Sequence, residues 1–150
     1  MRKAAILAGV LALATAAVAS AAYKSGTYSV GNPSTKAAGI TLTIHKGSFS
    51  VRAMSFREHC AAHSSSFNDY FEFESGSSAQ LKGKINGHGG LSGKWSFAGG
   101  ADKVSGTVKG GKATVKGSEK STYQPPSSST VYTCAGSATF HATLLRTTGG

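Results

Sequence analysis

Three five-residue stretches share one pattern, apolar-any-Gly-any-apolar: Leu81-Lys82-Gly83-Lys84-Ile85, Leu91-Ser92-Gly93-Lys94-Trp95 and Val104-Ser105-Gly106-Thr107-Val108. Apolar residues two apart across a strand point to the same face, so each glycine falls on the inward phase. Glycine weakens a strand unless a bend or a close neighbour requires it. The pattern therefore predicts a strongly curved sheet whose glycines are covered by rings, with Trp95 or Phe97 as the candidates. The spacing of the three stretches is irregular, so they are successive strands of one meander and not a solenoid.

The rest of the chain alternates in the same way. Ile40, Leu42 and Ile44 share one face of a period-two run. Phe49 and Val51 keep an inward phase, whereas Met54, Phe56 and Cys60 fall in the opposite one. A bulge near Arg52-Ala53 reconciles them. Phe67, Phe71 and Phe73 lie on one side of a further strand. Lys109-Gly110-Gly111-Lys112 signals a two-residue hairpin, and Ser118 to Thr130, with Pro125-Pro126, reads as a long exposed loop. Val131 to Leu144 carries the last strand, with Cys134 in its inward phase. These signals predict an all-β fold of about nine or ten antiparallel strands. It is either a single sandwich or a partly closed barrel.

The N-terminus has a different character. Met1-Arg2-Lys3 is positive, Ala4 to Val18 is apolar and small, and Ala17 to Ala22 offers small residues for cleavage. This is the layout of a secretory signal peptide over 1–22, cut after Ala21 or Ala22. The run is too short and too Ala-rich for a bilayer span, and no Leu-x-x-Cys lipobox follows it. The expectation is a secreted domain over 23–150 with no membrane span after cleavage. In that compartment the cysteine pair Cys60 and Cys134 is expected to form one disulfide. Closing a loop of that size is worth roughly 4 kcal/mol.

The landmarks together resemble a group of small exported β-domain proteins of actinobacteria: Gly26-x-Tyr28, Cys60, Gly83-Lys84-Ile85, Gly93-Lys94-Trp95-Ser96-Phe97, Val104-x-Gly106-x-Val108, Ala113-x-Val115-x-Gly117 and Cys134-x-Gly136-x-x-x-Phe140-x-Ala142. That resemblance implies a fold and an extracellular address, with no assigned activity. A fainter similarity, a Gly-x-aromatic first strand leading into a meander, is to the calycin barrels, with Tyr28 where tryptophan is usual. It implies an interior ligand pocket.

The chain has a formal net charge of +10. Lys82, Lys84, Lys94, Lys103, Lys109, Lys112 and Lys116 all fall on outward phases and form a candidate polyanion-binding face. Anionic cell-envelope polymers are the partners it would suit. Solubility and protection of sheet edges explain the same lysines without a ligand. Nucleic acid is disfavoured, because export removes it from reach and exposed interleaved aromatics are lacking. Asn68, Tyr70 and Glu72 make a candidate sugar-binding face.

Motifs of catalysis are weak. His59 and His63 flank Cys60, but their four-residue spacing suits a helix and the segment reads as strand and loop, so no metal site is expected. Gly106 to Ala113 mimics a phosphate-binding loop without its helix or terminal Ser/Thr. The only carboxylates are Glu58, Asp69, Glu72, Glu74, Asp102 and Glu119, and of these Glu72 and Glu74 form a solvated stripe. No Gly-x-Ser-x-Gly elbow is present. The leading expectation is a secreted, non-enzymatic binding or surface-associated domain without a cofactor. The alternative is a calycin-like carrier of a small ligand, and a secreted hydrolase ranks third.

Overall fold

The computed structural model describes residues 23–33, 36–76 and 78–147. The expected signal segment lies outside the described residues. Period-two alternation gives nine strands and, among the described residues, no helix: β1 (Gly26–Val30), β2 (Gly39–His45), β3 (Ser48–Ala61), β4 (Ser66–Glu74), β5 (Lys82–Ile85), β6 (Gly90–Phe97), β7 (Gly100–Lys109), β8 (Lys112–Tyr123) and β9 (Tyr132–Thr147). They form one antiparallel sheet in the order β2-β1-β9-β8-β7-β6-β5-β3-β4, and further pairings of β3 with β2 and with β9 close it partly into a ring. Of the two closures open from sequence, a sandwich or a partly closed barrel, the single sheet partly closed into a ring is nearer the second.

The long strand β3 makes the closure work. Its first half pairs with β2 and β5, and its second half with β4 and β9. The change of partners is prepared by a bulge, since Thr41 pairs with Ala53 and Leu42 with Val51, leaving Arg52 extra. That extra residue turns Val51 and Met54 inward together, and both are buried, as the phase reversal in the sequence requires.

The hairpin Gly110-Gly111 joins Lys109 to Lys112 as expected, with Gly110 in the left-handed region at φ 59°. The loop expected from Ser118 is shorter than the sequence suggests. β8 continues to Tyr123 and pairs with β9 as far as Tyr132, because ladder hydrogen bonds outweigh the weak strand preference of its Ser, Lys and Thr residues. Two of the three glycines of the repeated pattern are covered by a ring, though not that of Trp95 or Phe97, while Gly106 lies against the backbone of Thr114 and Val115. A side chain at Gly83 would meet Phe49 Cε1 at 2.7 Å, and one at Gly93 would meet Phe49 Cζ at 2.8 Å. The ring of Phe49 crosses both.

The core fills one end of the ring with Tyr28, Ile40, Leu42, Ile44, Phe49, Val51, Met54, Phe56, Val104, Val108, Val115 and Phe140. Burying each large side chain contributes about 1.5–3 kcal/mol. Tyr28 is fully buried, and its hydroxyl donates to the carbonyl of Lys24 at 2.8 Å or of Gly110 at 3.1 Å. The other end is open. β4 pairs only with β3, and β5 meets β6 only as far as Gly93. Between β4 and the end of β6 the contact is made by rings, Phe73 on Trp95 with centroids 5.6 Å apart.

Candidate functional site

The register of the ladders places one inward-facing residue per strand on a common rung. Asp69 pairs with Glu58, Glu58 with Gly136, Gly136 with Glu119, Glu119 with Asp102, and Asp102 with Trp95. Directly paired residues of antiparallel strands present side chains on the same face. Four carboxylates therefore share one rung, in a chain with six acidic residues and a large positive excess; Asp102 and Glu119 are buried, Glu58 is half-buried and Asp69 is exposed at the open end. Above this layer lie Phe56, Phe71, Gly117 and Val104. Below it lie Phe67, the paired cysteines, Ser121 and Phe97.

Burial is deep where it is most costly. Asp102 is 0% exposed and Glu119 5%. Among the described residues, neither Asp102 oxygen has a hydrogen-bond partner, nor does Oε2 of Glu119. The charges that act on this layer are other carboxylates. Burial first, then a hydrogen bond and repulsion from Glu119, push the Glu58 carboxyl up to about 7. Burial and the Glu119 charge push Asp102 up to about 7 as well. Glu58 holds its proton at mildly acidic pH and donates it to Glu119, because two carboxyls can share a hydrogen bond only when one is protonated.

Glu58, Asp69 and Glu119 of this layer line a cleft of about 650 Å³, together with Cys60, Phe67, Phe71, Phe97, Tyr123 and Cys134 among others, and Asp102 lies buried beside Glu119 without reaching it. Its rim is aromatic. Phe67 lies against Tyr132 with centroids 5.1 Å apart, and against Tyr123 at 6.5 Å. The mixture of ring faces and a few inward polar groups is that of a small-molecule site.

Cys60 and Cys134 are joined in a disulfide and are direct cross-strand partners. Glu58, Cys60 and Cys134 bring their donor atoms within 4.8 Å of one another. Both sulfurs are bonded to each other, so no thiolate is left to ligate a metal. His59 bonds Asn68 at 3.0 Å on the outer face.

The lysines lie where the sequence puts them. Lys82, Lys84, Lys94, Lys103, Lys109, Lys112 and Lys116 are all exposed. Lys94 pairs with Lys103 and Lys109 with Lys112 on the outer side of the sheet. Asp102 and Glu119 point inward, so β5 to β8 carry no acid on that side. Asn68, Tyr70 and Glu72 share the outer face of β4. There Arg57 Nε donates to the Tyr70 hydroxyl at 3.2 Å and stacks on its ring at 5.7 Å. Asn68 and Tyr70 are thus engaged by neighbours on β3.

The acidic layer is the feature that sequence reasoning passed over. Its signal was present: Glu58 is in phase with Phe56 and Cys60, Asp102 with Val104, and Glu119 with Val115 and Gly117. Comparison with known protein families, with curated proteins and with solved structures finds no match.

Proposed function

We propose that this protein is an exported, non-enzymatic binding protein that takes a small ligand in the interior cleft between β4 and β6. One observation carries the reading. Two deeply buried carboxylates, Glu119 in the lining of an aromatic-rimmed opening and Asp102 beside it, keep oxygens without hydrogen-bond partners among the described residues. Such an arrangement lowers stability, and places where a sequence breaks the rules of its own fold are expected at functional sites. The N-terminal layout and the disulfide support export. The only tryptophan, Trp95, sits on the acidic rung and packs on Phe97 of the cleft lining, which makes its fluorescence the optical probe. A screen of small molecules by Trp95 fluorescence and amide chemical shifts tests the reading. Shifts are expected on Glu58–Cys60, Phe67–Phe71 and Glu119–Tyr123. Shifts confined to the lysine face would refute it.

The lysine face supports a second reading, adhesion to an anionic envelope polymer. The observation favouring it is the pairing of Lys94 with Lys103 and of Lys109 with Lys112 on an acid-free sheet surface. Retention on an anionic polysaccharide that weakens steeply with added salt is the expected result.

A further inference from the structure

We infer that the cleft selects an organic ammonium ion bearing an aromatic or apolar tail, seated with its nitrogen between Glu58 and Glu119. The inference rests on the cleft being the binding site and names what it binds. Three observations converge on it. Glu119 lines the cleft, is 5% exposed and keeps Oε2 without a partner among the described residues. Asp102, its register partner, is fully buried, and among the described residues neither of its oxygens has a hydrogen-bond partner. The remaining lining is rich in rings, namely Phe67, Phe71, Phe97 and Tyr123.

A buried, unpaired carboxylate layer is incomplete without a cation or protons. A primary ammonium supplies three N–H donors, enough to reach Glu58, Glu119 and one further oxygen. Aromatic faces around it add cation–π attraction and cover the tail. A metal ion suits the layer poorly. Among the described residues, the metal-type side chains whose donor atoms gather within 4.8 Å are Glu58, Cys60 and Cys134, and the sulfurs are in the disulfide. The volume of about 650 Å³ lies in the range of small-molecule sites and far exceeds that of a bare ion.

Seating the ammonium displaces a proton. The free site holds its proton on Glu58, shared with Glu119. On binding, that proton leaves to solvent and both carboxylates accept from the ammonium N–H groups. Of the titratable groups, Glu58 from β3, Asp69 from β4, and Glu119 and Tyr123 from β8 line the cleft, Asp102 from β7 lies buried beside Glu119, and Tyr70 and Glu72 reach the edge of the cleft from the outer face of β4. β6 contributes Phe97 and β9 contributes Cys134, neither of which titrates here. Affinity for an ammonium therefore rises with pH up to neutrality.

The experiment titrates the full-length protein with 2-phenylethylammonium chloride, following Trp95 fluorescence and amide shifts. 2-Phenylethanol, 3-phenylpropanoate and calcium chloride serve as comparisons. Saturable binding of the ammonium is expected, at least about tenfold tighter than the alcohol. It should be weaker by a similar factor at about pH 5 than at about pH 8. Calorimetry in buffers of different ionisation enthalpy should show proton release. Glu119→Gln should weaken the ammonium at least about tenfold while leaving the alcohol unchanged and the amide spectrum dispersed. Equal binding of alcohol and ammonium, or full affinity in Glu119→Gln, overturns the cation assignment and leaves the cleft as the site. Saturation by calcium in place of the ammonium, or no saturation by the ammonium, also overturns the assignment. Ammonium-induced shifts outside the cleft overturn the cleft reading together with it.

Discussion

Glu58 and Glu119 are both register partners of Gly136, one from β3 and one from β8. The strand between them presents no side chain at that position, and the two carboxyls meet across it. A Cβ at 136 would lie 2.6 Å from the carbonyl oxygen of Arg57 and 2.9 Å from Phe56 Cε2. Gly136→Ala is expected to lower stability by about 1–3 kcal/mol. Urea unfolding measures it. A neutral result would show that the β3–β9 contact is looser than described.

The pH dependence of stability should run opposite to that of most proteins. Glu58 and Asp102 are each raised to about 7 in the folded chain, above their unfolded values near 4. Below about pH 4 both states are protonated and these groups contribute no difference. Between about 4 and 7 the unfolded chain releases protons that the folded chain retains, so each rise in pH favours unfolding. Above about 7 both states are ionised and the loss is complete. Thermal melts from about pH 4 to 8 should show Tm falling and then levelling. A Tm that climbs across this window would contradict the buried acidic layer.

Removing one charge from the layer should stabilise the protein where all are ionised. Asp102→Asn keeps the shape of the side chain and removes repulsion with Glu119. A gain of about 1–3 kcal/mol at about pH 8 is expected, with little change at about pH 4. Denaturant midpoints at the two pH values make the comparison.

The disulfide closes a separation of 74 residues. Replacing Cys60 and Cys134 together by Ala should cost about 4 kcal/mol, through the larger freedom of the unfolded chain. Unfolding of the double variant against the oxidised parent measures the loss.

Phe49 is fixed by the two glycines beneath its ring. Phe49→Ala empties that seat at the junction of β3, β5 and β6, for an expected loss of about 3–5 kcal/mol. Calorimetric melting would detect it. A smaller loss would mean that the flanking strands collapse onto one another.

Local chemistry reveals much of this architecture in advance. The phase reversal between Val51 and Met54 fixes the bulge at Arg52 because a strand can exchange its buried face only by inserting a residue. The outward lysines and the Gly110-Gly111 hairpin follow from the same alternation. What stays hidden is register between distant strands. Glu58 and Glu119 are far apart in sequence, and no local pattern states that Gly136 lies between them. Glu119 is further disguised by the Ser, Thr and Pro residues that follow it, which resemble a loop until β9 supplies hydrogen bonds. Phe49 covers the glycines for a like reason: its ring comes from a strand outside the repeated pattern.

β4 is bound into the sheet by ladder hydrogen bonds along one edge, to β3, and its other contacts across the cleft are between rings. The ladders that close the ring pass through the other strands. A swing of β4 away from Trp95 thus leaves every ring hydrogen bond in place and opens the acidic layer to solvent from the side. The side wall of the cleft is a single nine-residue strand, and its seal against β6 is a pair of rings where the rest of the wall is hydrogen-bonded.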